Sequence, residues 1–185
     1  MRQKLFLSAI LMFMVVSLFA DKKPSEHFTA LPVLPASAGP GTANLTIDIQ
    51  GYTDDSTMNS LGAILSDGNN QNALLKKFQD MPGIGDVSRE GRVGVQVKVI
   101  RVQQSPDGGR VITMLTDRPI HFWEASQGSP TVDYPYGMIR FTINDSGDGK
   151  GEAYPVVKVK NIGANNIDID DYGVIPIQLT VHQIK

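Results

Sequence analysis

Residues 92–104 read Arg-Val-Gly-Val-Gln-Val-Lys-Val-Ile-Arg-Val-Gln-Gln, and this stretch decides the fold class. Up to Val99 every second residue is valine, and a period of two places one set of side chains on each face of a β-strand. The parity then changes, because Ile100 and Val102 become the apolar positions. Such a change predicts a β-bulge, or a strand that crosses between two packing environments. The stretch therefore predicts a long strand in a mainly β protein.

The same kind of pattern recurs on both sides of this strand. Alternating or short apolar segments predict further strands over 43–52, 111–115, 139–143, 157–160, 167–170 and 175–181. Turn residues separate many of them at intervals of about ten residues, as in antiparallel sandwiches and barrels. Pro176 cannot donate to a ladder, so the last strand lies at an edge or Pro176 lies near its start. We expect seven or eight strands in an antiparallel β-sandwich or barrel.

Two short helices are predicted between the strand at 43–52 and residue 92. Asp54 or Asp55 can cap the first helix, and Gly68 is its expected stop. Pro82 ends the second helix. The apolar residues that share one face of each helix are Met58, Leu61, Ile64 and Leu65 in the first and Leu74, Leu75, Phe78 and Met81 in the second. We therefore expect a mainly β (α+β) fold with a helical pair inserted after the first strand and packed on a sheet.

The N-terminal region predicts export. Residues 1–20 combine a basic start, the apolar run Leu5–Phe19 and a small residue at Ala20, which is the pattern of a cleaved signal peptide. The run is shorter than the ~20 residues of a spanning helix, so we expect no stable membrane span after cleavage. Four prolines in residues 21–42 predict a Pro-rich tether, which leaves 43–185 as a single β-rich domain. The predicted location is the periplasm or the outside of the cell.

Composition excludes several classes of function. The formal net charge of −2 provides no strongly basic face, so we expect no nucleic-acid partner. The chain has no cysteine and only three histidines (His27, His121 and His182), without the spacing of a metal motif. We therefore expect no metal site, no cofactor and no catalytic residues of a known pattern. A Ser-His-acid site would need His121 and a serine that no G-x-S-x-G motif supplies.

Two acidic stretches are interpreted structurally. The segment 144–149 resembles a calcium loop, but Pro155 stands at the twelfth position, where that loop needs a glutamate. We interpret it as a hairpin turn. Asp168, Asp170 and Asp171 are interpreted as the solvated face of an edge strand, which charge protects from aggregation.

The most distinctive stretch for binding is 116–136, which holds the only tryptophan of the chain. Every arginine beyond the predicted signal lies between Arg89 and Arg140. Aromatic residues and arginines together are typical of binding hot spots, and arginine grips carboxylates through two parallel hydrogen bonds. The residues predicted to bind a ligand are Arg118, His121, Trp123, Tyr134 and Tyr136.

Three short motifs carry a resemblance. They are Ala36-Ser37-Ala38-Gly39-Pro40 ahead of residues 43–47, residues 109–112 leading into Thr116-Asp117-Arg118-Pro119-Ile120, and Gly147-Asp148-Gly149-Lys150-Gly151-Glu152. Together they resemble a family of small secreted bacterial proteins without an assigned activity. The resemblance implies an exported, single-domain bacterial protein and no particular site.

Three functions remain open. The leading hypothesis is an exported, non-catalytic binding domain for a small apolar or anionic ligand held in a barrel mouth, or for an envelope protein. The second is a carboxylate-dependent hydrolase or isomerase that uses Asp117, Glu124 or Asp133. The third is a structural or assembly module in which an edge strand at 174–181 pairs with another chain.

Overall fold

The computed structural model describes residues 25–33, 44–66, 68–90, 92–106, 108–120 and 134–184. The predicted signal peptide lies outside these ranges, as do His121 and Trp123. The described elements are β1 (Glu26–Val33), β2 (Leu45–Ile49), α1 (Asp55–Ser66), α2 (Gln71–Asp80), β3 (Gly85–Arg89), β4 (Val95–Gln104), β5 (Arg110–Thr116), β6 (Tyr136–Ile143), β7 (Asp148–Gly163), β8 (Asn166–Asp170) and β9 (Ile177–Ile184). Among the described residues, no helix combines the length and hydrophobicity that crossing a bilayer requires.

Eight of the strands close into an antiparallel barrel. Neighbouring strands follow the order β6-β5-β4-β3-β2-β1-β9-β7, and β6 also pairs with β7, which closes the ring. Strand β8 pairs only with the second half of β7 and lies outside the ring. The barrel alternative of the sequence prediction is therefore confirmed, and the strand that carries Asp168 and Asp170 lies at a sheet edge.

The barrel interior is filled by the chain's own side chains. Phe28 and Phe141 meet edge to face, with ring centroids 5.2 Å apart. The surrounding interior residues are at most 2% exposed, as expected for an eight-stranded barrel that closes on its side chains. The predicted bulge in β4 is confirmed, because its register with β5 shifts between Val97 and Val99. Val97 and Ile100 both point inward as a result.

The two helices cover one outer side of the barrel. Asp54 Oδ1 accepts a hydrogen bond from the Thr57 N–H (2.7 Å) at the start of α1. Asn70 Oδ1 accepts one from the Ala73 N–H (3.0 Å) at the start of α2. Both caps satisfy amide groups that the helix itself leaves free. The buried faces of the helices pack against outward-facing residues of four strands, among them Val99, Leu115, Tyr136, Met138 and Val157. The predicted helical pair and its packing on a sheet are confirmed.

Three sequence predictions need correction. The segment 26–33 is not part of a tether, because it forms β1 and pairs with both β2 and β9. Its buried positions are Phe28, Ala30 and Pro32, so the alternation was hidden by weakly hydrophobic residues and by prolines. The helical pair consequently follows the second strand. Residues 85–89, for which the sequence predicts no strand, form the short strand β3, in which only Gly85 and Val87 are buried.

The last strand is not an edge strand. Strand β9 is hydrogen-bonded to β1 on one side and to β7 on the other. Pro176 immediately precedes it, which is the alternative position left open for this proline. The assembly hypothesis therefore loses the free edge at 174–181 on which it depended.

A polar network closes one end of the barrel from within. Glu26 accepts hydrogen bonds from the Tyr52 hydroxyl, from Arg110 and from Gln183 Nε2, the last at 3.0 Å. Burial alone would raise the pKa of Glu26, but the hydrogen bonds from Arg110 and Tyr52 and the Arg110 charge outweigh it and lower that pKa below 4.5. Burial and the neighbouring Glu26 carboxylate raise the pKa of Tyr52. The charged pair Glu26–Arg110 is thus a fixed structural element at this end of the barrel.

Candidate functional site

Three outward-facing residues lie side by side on neighbouring strands of the barrel. Arg101 in β4 is the register partner of Thr113 in β5, and Thr113 is the partner of Arg140 in β6. Directly opposite residues of adjacent strands are about 5 Å apart, so the two arginines flank one threonine. The bulge between Val97 and Val99 sets this geometry. In an unbroken strand with Val97 inward, Arg101 would point inward as well, and the bulge turns it to the outer face.

The turn between β7 and β8 forms a wall beside these residues. Arg101 Nε donates to the Ala164 carbonyl (2.7 Å), and Gln103 Nε2 donates to the Asn165 carbonyl (2.8 Å). The arginine pocket, as we name the space between this wall and the barrel, is lined by Arg101, Gln103, Val111, Thr113, Arg140, Asn166 and Ile167. Its volume is about 170 Å³. Pockets for drug-sized ligands measure about 300–1,000 Å³, so this one suits a small group.

Arg101 is held rigidly at the rim of the arginine pocket. Its Nη1 donates to the Thr53 carbonyl (2.8 Å), and its Nη2 forms an ion pair with Asp55 at the start of α1. The Arg101 side chain is 17% exposed, whereas that of Asp55 is 70% exposed. The counter-charge of Arg101 is therefore the solvent-exposed carboxylate of Asp55.

Arg140 has a different balance of partners. Its Nε donates to Thr113 Oγ1 (3.1 Å), and its Nη2 donates to the Ile167 carbonyl (2.9 Å). Within the described ranges, no carboxylate lies within 4.0 Å of this guanidinium. Both partners are neutral acceptors, which orient the group and leave its charge uncompensated at close range. A partly buried, oriented and unpaired guanidinium is a favourable position for an anion.

The carboxylate of Glu152, the register partner of Arg140 in β7, is engaged elsewhere. It accepts hydrogen bonds from the Tyr154 hydroxyl (2.6 Å) and from Gln178 Nε2 (3.1 Å). These two bonds lower the pKa of Glu152, and the charge of Arg140 adds to the lowering. Glu152 does not line the arginine pocket, whose lining holds no acidic residue.

The residues predicted to bind a ligand do not form one described cluster. The Arg118 side chain is 64% exposed, and its Nε donates to Asp117 Oδ1 (3.1 Å). The Asp117 carboxylate also lies 3.7 Å from Lys98 Nζ, in an ion pair whose two side chains are each 6% exposed. Arg118 therefore pairs with its own neighbour Asp117 after the end of β5. His121 and Trp123 lie outside the described residues, so their role in binding stays a prediction.

The two predicted tyrosines occupy different environments. Tyr136 is fully buried against Phe78, with ring centroids 5.2 Å apart, and its hydroxyl donates to the Gln71 carbonyl (3.0 Å). Burial raises the pKa of Tyr136. It packs the helices onto the barrel. Tyr134 contacts the 76%-exposed Tyr172, with ring centroids 5.1 Å apart.

The hairpin interpretation of segment 144–149 is confirmed. Asn144 Oδ1 accepts hydrogen bonds from the N–H groups of Ser146 (2.9 Å) and Asp148 (3.1 Å) in the turn between β6 and β7. The asparagine side chain is thereby committed to the turn.

Sequence reasoning missed Arg101 and Arg140 as a pair. Two signals were present: the restriction of arginines to 89–140 and the parity change at Val99-Ile100. Neither shows that β4, β5 and β6 are neighbours in the register that aligns the two arginines with Thr113, and this alignment decides the site.

Comparisons of the chain with protein-family models, with characterised proteins and with solved structures gave no match. The resemblance to small secreted bacterial proteins therefore stays a prediction. The geometry of the described residues is what supports a function.

Proposed function

We propose that this chain is an exported binding domain for a small anionic ligand, which Arg101 and Arg140 hold in the arginine pocket without catalysing a reaction on it. The ligand class is a small molecule that carries one carboxylate, sulfate or phosphate group. The observation that carries the proposal is the guanidinium of Arg140, which is fixed by Thr113 and the Ile167 carbonyl without a carboxylate partner among the described residues.

The chemistry of the pocket lining supports an oxyanion. The guanidinium fork matches the spacing of two oxygens of a carboxylate or phosphate. The Thr113 hydroxyl and the amides of Gln103 and Asn166 line the same space and are able to donate to further oxygens. Val111 and Ile167 offer only a small apolar contact area. The polar groups of the lining thus outnumber the apolar ones. This favours an anionic ligand over the apolar ligand that the sequence also allowed.

The filled barrel interior also supports this choice. An apolar ligand inside the barrel would have to displace Phe28, Phe141 and their buried neighbours, which fill the interior. One end is additionally closed by the Glu26–Arg110 pair. The arginine pocket lies on the outer face and needs no such displacement.

Titration calorimetry at low ionic strength tests the proposal, with sodium acetate, sulfate and phosphate as the probes. Arg140→Met removes the unpaired charge and keeps most of the stem. Hydrogen bonds to charged groups contribute about 1.5–3 kcal/mol, so the variant should bind the preferred probe roughly 10- to 150-fold more weakly. Arg118→Met is the matched control, because it removes an exposed arginine that pairs with Asp117 and does not line the pocket.

The outcomes are distinct. Binding by wild type and by Arg118→Met, with loss in Arg140→Met, supports the proposal. Equal affinities of wild type and Arg140→Met, or no heat of binding with any of the three probes, would contradict it.

A further inference from the structure

A serine, a histidine and an aspartate lie in a row near the start of β1. Ser25 Oγ is 3.1 Å from His27 Nε2, and His27 Nδ1 is 2.5 Å from Asp48 Oδ1. His27 and Asp48 are register partners of β1 and β2, so the sheet ladder fixes the second contact. Ser25 and His27 are two residues apart and reach the same side of the strand.

The order of these contacts is the one that activates a serine. In the neutral imidazole, an N–H at Nδ1 that donates to Asp48 leaves Nε2 as the acceptor of the Ser25 hydroxyl. A base at Nε2 is what a serine needs to become a nucleophile, and the acid on the other nitrogen fixes the tautomer. In the sequence, His121 is the histidine considered for a Ser-His-acid site, whereas His27 falls in the predicted tether.

Acidic residues lie on one side of His27. Asp48 touches it from β2, and Asp86 in β3 is the register partner of Asp48. Burial and the neighbouring Asp48 raise the pKa of Asp86. On the other side of β1, the register partner of His27 is the apolar Ile184 in β9. The neighbours of His27 across these strands are thus two acidic residues and one apolar residue.

A second histidine supplies an internal comparison. His182 Nδ1 lies 2.5 Å from Asp148 Oδ1, and these residues are register partners of β9 and β7. Among the described residues, Ser25 is the serine that hydrogen-bonds to a histidine ring, and it does so at His27. The described part of the chain therefore holds two His–Asp pairs on one barrel, one of which has a serine at Nε2.

We propose that Ser25, His27 and Asp48 form a nucleophilic site that accepts acyl groups from small activated esters. The inference is independent of the anion-binding proposal, because the two sets of residues do not overlap. Ser25 is exposed and the His27 side chain is 53% exposed, so the site lies on an open face. Esters with a good leaving group need little further stabilisation, which is why we assign aryl esters and not amides.

The reaction has two balanced steps. Ser25 Oγ forms a bond to the ester carbonyl carbon while its proton moves to His27 Nε2, and the departing aryl oxygen takes that proton as its bond to the carbonyl carbon breaks. Water then attacks the acyl-serine, with His27 again as the base, and releases the carboxylic acid and free Ser25. Asp48 is a positioning residue that acts through His27.

The first test is covalent labelling of the purified protein with an alkyl fluorophosphonate, followed by intact-mass and peptide mass spectrometry. The Ser25 oxygen displaces fluoride, and the expected adduct is one phosphonyl group on Ser25. Ser25→Ala should remove this adduct. His27→Gln should slow labelling by roughly 100-fold, the lower part of the range for general-base catalysis. His182→Gln, the matched control at the second His–Asp pair, should label like wild type.

A test of Asp48 has to distinguish positioning of His27 from a general loss of folding. In Asp48→Asn the amide keeps the size of the side chain and removes its charge, so the imidazolium loses its partner. Labelling of Ser25 should therefore be slower in Asp48→Asn, and Asp48→Glu, which restores a carboxylate, should recover part of the rate. The same variants should show the same order of rates for hydrolysis of p-nitrophenyl acetate. An unlabelled Ser25 in wild type, or equal labelling of Ser25 in wild type and His27→Gln, would overturn the proposal.

Discussion

Replacing Glu26 by glutamine should destabilise the barrel through the charge left behind. Its two carboxylate oxygens accept from four groups: the Tyr52 hydroxyl, both terminal nitrogens of Arg110, and Gln183 Nε2. Glutamine fills the same volume but carries no charge and offers one acceptor oxygen instead of two. Arg110 would then stay at the barrel end without its counter-charge.

The size of the effect follows from burial. Breaking a fully buried ion pair by removing one partner costs about 3–5 kcal/mol. The Glu26 and Arg110 side chains are 12% and 29% exposed, so water screens part of the interaction and the expected loss is smaller. We expect the free energy of unfolding to fall by about 2–3 kcal/mol, on the scale of hydrogen bonds to charged groups. In a domain of this size, that loss lowers Tm by roughly 4–12 °C.

Urea unfolding followed by far-UV circular dichroism measures this loss. Glu152→Gln is the matched control, because it removes a carboxylate on the outer face that forms no ion pair within 4.0 Å in the described part of the chain. It should cost less than about 1 kcal/mol. The double variant Glu26→Met with Arg110→Met leaves no unpaired charge and should be less destabilised than the two single variants together. A Glu26→Gln protein as stable as wild type, or strictly additive single and double variants, would refute the reasoning.

Two further predictions concern acid stability and one helix contact. Because the folded-state pKa of Glu26 lies below 4.5, its stabilisation is present above about pH 4.5 and is lost as pH falls through the folded-state pKa. The stability difference between wild type and Glu26→Gln should therefore shrink in acid unfolding curves, and a constant difference down to pH 2 would count against it. Gly62→Ala should destabilise α1 by about 1–3 kcal/mol despite the better helix propensity of alanine, because the new Cβ would lie 2.3 Å from the Ile162 carbonyl oxygen. Urea unfolding checks it, and a more stable variant would contradict the packing of α1 against β7.

The elements of the fold were predictable where apolar spacing was regular. The alternation in β4 and its parity change predicted both the strand and the bulge, and the apolar stripes of α1 and α2 predicted a packed helical pair. Strand β1 was not predicted, because Ala30 and Pro32 are weak signals for buried strand positions. The sequence did not decide between a sandwich and a closed barrel, because closure depends on the long-range pairing of β1 with β9, which residue periodicity does not encode.

Neither proposed site could be predicted from the sequence, because both depend on the register between neighbouring strands. Arg101 and Arg140 are aligned only by the registers of β4, β5 and β6. His27 meets Asp48 only through the register of β1 and β2. Local composition instead predicted a ligand-binding site in 116–136. Tyr136 in that stretch is a buried contact between α2 and the barrel.

Mapping the binding site by NMR tests whether an anion binds between Arg101 and Arg140. Sodium sulfate would be titrated into ¹⁵N-labelled protein at constant ionic strength while the backbone amide shifts are followed. We expect saturable shifts concentrated at the strands around Thr113 and at the β7–β8 turn, and we expect these shifts to be lost in Arg140→Met. Shifts spread evenly over the surface, or unchanged in Arg140→Met, would contradict it.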